Sequence, residues 1–206
     1  MCKNVLKIMM ATLLMALSAS FVNAQVHVGD ILCEGDRVVS PALAGSDAMA
    51  VVFYVDASGQ HGWAVDLRNN GERSWGPNCY NSPLRDCTQQ ANAVADLDGN
   101  KNTGVILEQR SDHPAFNVVD YENGWYLPAI GQLKRLYGKL DKVNASLSAV
   151  GGDEFPSDTD WECWSSTEYN VASAWYMTAS GELRCKDVTY NGTKDGRRMV
   201  RSVRNF

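Results

Sequence analysis

The chain has 206 residues, of which 45% are hydrophobic and 21% charged, and its 19 Lys and Arg against 24 Asp and Glu leave a net charge of −5. That acidic balance argues against nucleic acid and anionic surfaces as partners. Beyond residue 24 no apolar run approaches the roughly 20 residues of a membrane-spanning helix, so the mature chain is expected to be soluble.

The N-terminus reads as a signal peptide over residues 1–24. Lys3 and Lys7 are followed by an apolar stretch from Ile8 to Phe21 and by small residues ending at Ala24. This pattern marks a cleaved export signal, the other reading being an uncleaved anchor helix. Gln25 at the expected new terminus gives no site for a lipid anchor. Loss of two lysines and no acid takes the net charge from −5 to −7. Residues 25–206 then suit a single domain. Cys33, Cys79, Cys87, Cys163 and Cys185 remain, and export permits disulfides. Cys79 with Cys87 is the first pair to test and Cys163 with Cys185 the second. An odd number leaves one thiol over, and buried free cysteines are the other reading.

Residues 50–56 and 61–67, joined by a turn at 57–59, predict a β-hairpin. Residues 68–86, rich in Asn, Gly, Pro and Ser, predict a long surface loop. A short helix over 87–95 is followed by a turn at Asp98-Gly99-Asn100. The clearest helix starts near Pro128, with Ile130, Leu133, Leu136, Tyr137 and Leu140 on one face. A second carries Val143, Leu147 and Val150 and ends at Gly151-Gly152. Short strands are expected at 162–168, 173–178, 183–190 and 198–205. Helices mid-chain followed by an antiparallel meander define an α+β layout.

Several segments then stand together: GWYLPAIGQLKRLY from Gly124, VNASLSAVGG from Val143, CWSSTE from Cys163, SAWYM from Ser173 and MVRSVRNF from Met199. This set resembles the exported bacterial domain family typified by the C-terminal domain of the Legionella collagen-like protein. It is similar also to the Fibrobacter-type major paralogous domain, with its W-x-L-P, W-S-S and closing V-R-x-V-R frame. The upstream GDILCEGD, VVFYVDASGQHG and DLDGNKNTGVI extend the likeness over nearly all of residues 25–206. The resemblance implies a C-type-lectin-like fold and a surface adhesion role. Better-understood members bind sulfated polysaccharides through basic surface, and the acidic charge here speaks against that ligand.

Candidate sites divide by chemistry. For calcium, Asp96 to Asn102 lacks the sixth-position Gly and twelfth-position Glu of an EF-type loop and reads as a turn with local backbone hydrogen bonds; Asp153, Glu154, Asp158 and Asp160 form a second acidic cluster that reads first as a solvated loop, cation binding being the other reading. For hydrolysis, Ser165 and Ser166 lack a neighbouring base. For an enzyme of the formylglycine-generating type, Cys163 and Cys185 are the thiols to consider. Trp125, Trp164 and Trp175 are expected to pack the sheet. Trp161 and Tyr169, with Asp158 and Asp160, are the expected ligand-binding residues. In the closing strand, Arg201 or Arg204 is expected to pair with Glu168 and fix strand register. The leading function is an exported non-catalytic binding or adhesion module for a glycan or surface protein. An exported enzyme and a structural subunit of a surface or pilus assembly are the alternatives.

Overall fold

A computed structural model describes residues 25–77, 82–109, 112–156, 161–187 and 196–206. The expected signal peptide lies outside them, as do Cys79, Asp158 and Asp160. The described chain is α+β, with two five-stranded sheets and helices between the sheet-forming segments. Nothing in this layout conflicts with a C-type-lectin-like arrangement.

The first sheet contains β1 (Ile31–Cys33), β2 (Val38–Val39), β3 (Ala48–Val55), β4 (Gly62–Asp66) and, from the far end of the chain, β10 (Val203–Asn205). Its order is β10-β4-β3-β1-β2, antiparallel throughout. The β3–β4 hairpin is the one expected. Its turn is held by Asp56 Oδ1, which accepts from the amides of Ser58 and Gly59 at 3.0 and 3.1 Å. Gly59 takes φ +74° there, a conformation that favours glycine.

The second sheet contains β5 (Glu72–Arg73), β6 (Glu162–Asn170), β7 (Ser173–Thr178), β8 (Leu183–Asp187) and β9 (Arg198–Met199). The order is β5-β9-β6-β7-β8, with β6 and β9 parallel and the other pairs antiparallel. The single strand expected over 198–205 is thus two. Residues 200–202 cross from one sheet to the other, with the Val200 amide donating to Gly71 O and Ser202 held by Asn70 Oδ1.

Helix α1 (Gln90–Ala95) matches the short helix expected. Where a turn was expected at Asp98-Gly99, the chain instead starts α2 (Gly99–Glu108), because Asp98 Oδ1 accepts from the Lys101 amide at 3.1 Å and caps it. Helix α3 (Pro114–Asn117) follows. Helices α4 (Ile130–Tyr137) and α5 (Leu140–Ala149) are the two strongly predicted ones. In α4, Ile130, Leu133 and Leu136 are buried and Lys134 and Arg135 exposed. Gln132 also turns inward, where Oε1 accepts from the amides of Ala129 and Gly99 and Nε2 donates to the Tyr126 hydroxyl.

The main core lies where α4 and α5 meet the two sheets, around Val51, Phe53, Val65, Leu133, Leu147 and Met177. A second core lies around Trp75, Phe116, Leu127, Trp164 and Tyr176. The segment 68–86 is therefore not only a surface loop: Trp75 is buried and its indole N–H donates to Ser165 O at 2.7 Å. Cys33, Cys87, Cys163 and Cys185 carry free thiols, so the Cys163–Cys185 pairing is not formed. These two sit on different strands, one buried and one exposed. Cys87 is free as well, and its suggested partner Cys79 lies outside the described residues.

Candidate functional site

The Trp-Ser-Ser-Thr-Glu string lies on β6, and its ladder with β7 is interrupted. Trp164 pairs with Tyr176 and Glu168 with Ala174, so three residues on one strand, 165–167, stand opposite one, Trp175, on the other. A bulge of this kind re-aims side chains and interrupts the strict alternation of a regular strand. Ser165 Oγ donates to Trp175 O at 2.7 Å, fully buried, which removes it as a nucleophile. Ser166 Oγ accepts from Asn102 Nδ2 at 3.2 Å. Thr167 Oγ1 accepts from the Ile130 amide at 2.9 Å, at the start of α4, and donates to Asp96 Oδ2 at 2.7 Å. The hydroxyls thus tie α2, α4 and the Asp96 turn onto one strand.

Glu168 ends this string beside a cavity of about 290 Å³ lined by Leu84, Arg85, Cys87, Asn92, Asp96 and Asn102. Only 1% of Glu168 is exposed. Its Oε2 accepts from Ser82 Oγ at 2.7 Å. Burial raises its pKa to about 7, against the lowering effect of the Ser82 hydrogen bond. Asp96 is better satisfied. Its Oδ2 accepts from Thr167 and Asn102, and its Oδ1 from the Asp98 amide at 3.2 Å. These roles use the Asp96–Asn102 carboxylates for backbone and side-chain structure.

The arginines of the closing segment do not reach Glu168, which corrects the expected pairing. The buried Arg201 spends its guanidinium on carbonyls, with Nε to Asp66 O at 3.0 Å and Nη2 to Asp153 O at 2.6 Å. Burial lowers its pKa to about 10. Arg204 pairs with Asp36 at 3.0 Å on the surface. The buried Arg198 lies 4.2 Å from the Trp164 ring centroid and 4.0 Å from that of Tyr176, and its Nε is 2.9 Å from Glu162 Oε2. The bulge and the strand crossing set these partners, and neither is visible as periodicity.

The tryptophans expected to pack do so. Trp164 and Trp175 lie in different cores on the two faces of the second sheet, their indole N–H groups donating to Arg73 O at 2.9 Å and Cys87 O at 2.7 Å. Trp125 is half-buried against Leu32, Ala50, Val52 and Ala64. It also lines a depression of about 410 Å³ with Asp66, Asn70, Asp120 and Ser202. One edge of Trp125 thus stays open beside Asp120 and Asn70.

Trp161 and Tyr169 stand near opposite ends of β6, on the order of 20 Å apart for an extended strand. The fold does not bring them into one site. Trp161 is half-buried, with its N–H on Pro156 O at 2.8 Å and its ring against Phe155. It also lines a depression of about 230 Å³ with Glu162, Thr178, Ser180 and Arg184. Tyr169 meets the Trp175 ring edge-on at 5.5 Å. Asp153 accepts from the Asn69 amide and Arg68, which hold its pKa down. Among the described residues no group of three or more His, Cys, Asp or Glu is placed to hold a metal ion. Burial pushes the Cys163 thiol up to about 12, so it is neither ionised nor accessible as a reactive thiol must be. Among the described residues no helix is long and apolar enough to cross a membrane.

No family profile and no curated protein matches the chain. Among solved structures it is similar to a fimbrial protein from Bacteroides ovatus ATCC 8483, with a TM-score of 0.67 and 20% identity. The likeness covers 88% of this chain and 49% of that one, so the chain spans about half the length of its structural neighbour. At that identity the likeness is one of fold.

Proposed function

We propose that this protein is an exported, non-catalytic subunit of a surface assembly, acting in adhesion or filament structure. The observation that carries the reading is the fold shared with half of a fimbrial protein over 88% of this chain. The signal-like residues 1–24 and the C-type-lectin-like resemblance of residues 124–206 support it from the sequence side. Fold alone does not supply function; the concurrence of fold, signal-like segment, buried Ser165 hydroxyl and buried Cys163 thiol favours assembly over catalysis. The test is to shear surface filaments from cells producing the protein and identify their subunits by mass spectrometry. The expected result is this chain in the sheared fraction with Gln25 as its first residue. Retention inside the cell with residues 1–24 intact would overturn the reading.

A second reading adds a glycan ligand at the Trp161 depression, where an indole face stands beside Glu162, Thr178 and Arg184. Aromatic surface with nearby polar groups suits a sugar ring. Glycan-array binding abolished by Trp161→Ala is the expected outcome. Loss on Trp125→Ala instead would move the ligand to the other depression, and no array signal at all would remove the reading.

A further inference from the structure

The cavity beside Glu168 holds a chemical requirement that the fold leaves unmet. Glu168 Oε2 is taken by Ser82, while Oε1, equally buried, has no hydrogen-bond partner among the described residues. A buried oxygen without a donor is costly, and more so when it carries charge. Asp86 adds repulsion from the 82–89 loop, and Asp96 also lines the cavity. Arg85, the cation among the lining residues, is exposed at the surface. The electrostatics therefore ask for a positive donor. At about 290 Å³ the space lies at the small end of small-molecule sites.

The shape of the missing donor follows from what is already occupied. A guanidinium binds a carboxylate best through both oxygens in a fork, and one oxygen is on Ser82. A metal ion needs several hard ligands, and no such grouping stands here among the described residues. An ammonium has three donors on a compact head. Glu168 Oε1 can take one. Asn102 spends its amide nitrogen on Asp96 and Ser166, leaving its carbonyl oxygen as an acceptor at the same wall. Leu84 and Cys87 supply apolar wall for an alkyl stem.

We propose that this cavity binds a primary ammonium group on a short unbranched alkyl stem, the chemistry shared by free alkylamines and a lysine side chain of another protein. The site stands apart from the assembly reading, since neither the fold likeness nor the filament experiment bears on it. Binding uses the ionised carboxylate. Affinity is therefore expected to weaken as pH falls below about 7, where Glu168 takes up a proton. Burial first, then Ser82 and Asp86, set this pH, and Arg85, Cys87 and Asp96 are the other charged or titratable groups around the cavity. An alkylammonium stays charged across that range, with a pKa near about 10.4.

The test is a titration of the ¹⁵N-labelled protein, residues 25–206, with butylammonium, followed by amide shifts. At pH 8 saturable shifts are expected for Cys87, Asp96, Asn102 and Glu168. At pH 5 the affinity should fall at least tenfold, and Glu168→Gln should abolish the effect. 1-Butanol, of matching shape and no charge, should leave those amides unmoved. Equal shifts with butanol, equal binding by Glu168→Gln, or no saturable shift at pH 8 would each overturn the proposal. Should Glu168→Gln fail to fold, the butanol and pH comparisons on the unaltered protein decide it alone. N-acetyl-Gly-Lys-Gly-amide, whose one ammonium is the lysine side chain, against the free amine separates the two sources. Shifts with the peptide assign the site to lysine side chains, and shifts with the free amine only assign it to small amines. Equal binding of the acetyl-lysine peptide would overturn the ammonium itself.

Discussion

At the scale of single residues, Glu168 reverses the sign of an expectation. Pairing with Arg201 would have made this carboxylate stabilising, and its removal harmful. In the structure its arginine is elsewhere, and burial raises its pKa from the usual 4.5 to about 7. Between those values the folded chain holds a proton that the unfolded chain has released. Folding stability from this group is therefore fully present below about pH 4.5 and is lost as pH rises through about 7. Glu168→Gln keeps an acceptor for Ser82 and removes the charge. It should raise stability at pH 8 by roughly 2 kcal/mol and change little at pH 4. Urea unfolding at the two pH values measures this; a less stable variant at pH 8 would mean the carboxylate has a partner.

At the scale of elements, the docking of α4 onto the Asp96 turn fixes the site wall. Gly131 lies inside α4, where alanine ordinarily gains about 1 kcal/mol in helix propensity. Here an added Cβ would stand 2.3 Å from Val94 O and 2.4 Å from Asp96 O. Backbone atoms cannot give way as a flexible side chain would. Gly131→Ala is expected to lower stability by about 2 kcal/mol, overpacking outweighing propensity. A lowered thermal midpoint with displaced Asp96 and Thr167 amide signals would show it; a raised midpoint would mean α4 is free to shift. The helix itself was legible from Ile130, Leu133 and Leu136. Its contact with the Asp96 turn was not, because a glycine in a helical pattern carries no address for its neighbour.

At the scale of the whole molecule, residues 200–202 join the two sheets, and Arg201 is the clasp. Its guanidinium donates to Asp66 O at the end of β4 and to Asp153 O after α5, while the Phe155 ring lies 4.8 Å below it. Removing the donors strands buried carbonyls on two segments at once. Arg201→Met retains much of the side-chain volume and should still cost about 3 kcal/mol. Chemical denaturation checks this, and a loss below 1 kcal/mol would show that water or a neighbour replaces the clasp.

The amino-acid order by itself determined the β3–β4 hairpin, the α4 and α5 faces, the aromatic strands β6 and β7 and the α+β class. Each of these rests on local periodicity and turn chemistry, which a single segment carries within itself. Tertiary structure alone decided that β6 bulges between Trp164 and Glu168 and that the last strand divides between two sheets. It also left Glu168 facing a cavity instead of an arginine. Those outcomes depend on which distant carbonyls and hydroxyls satisfy one another once the chain is closed, and hydrogen-bond satisfaction across long sequence separations leaves no period to read.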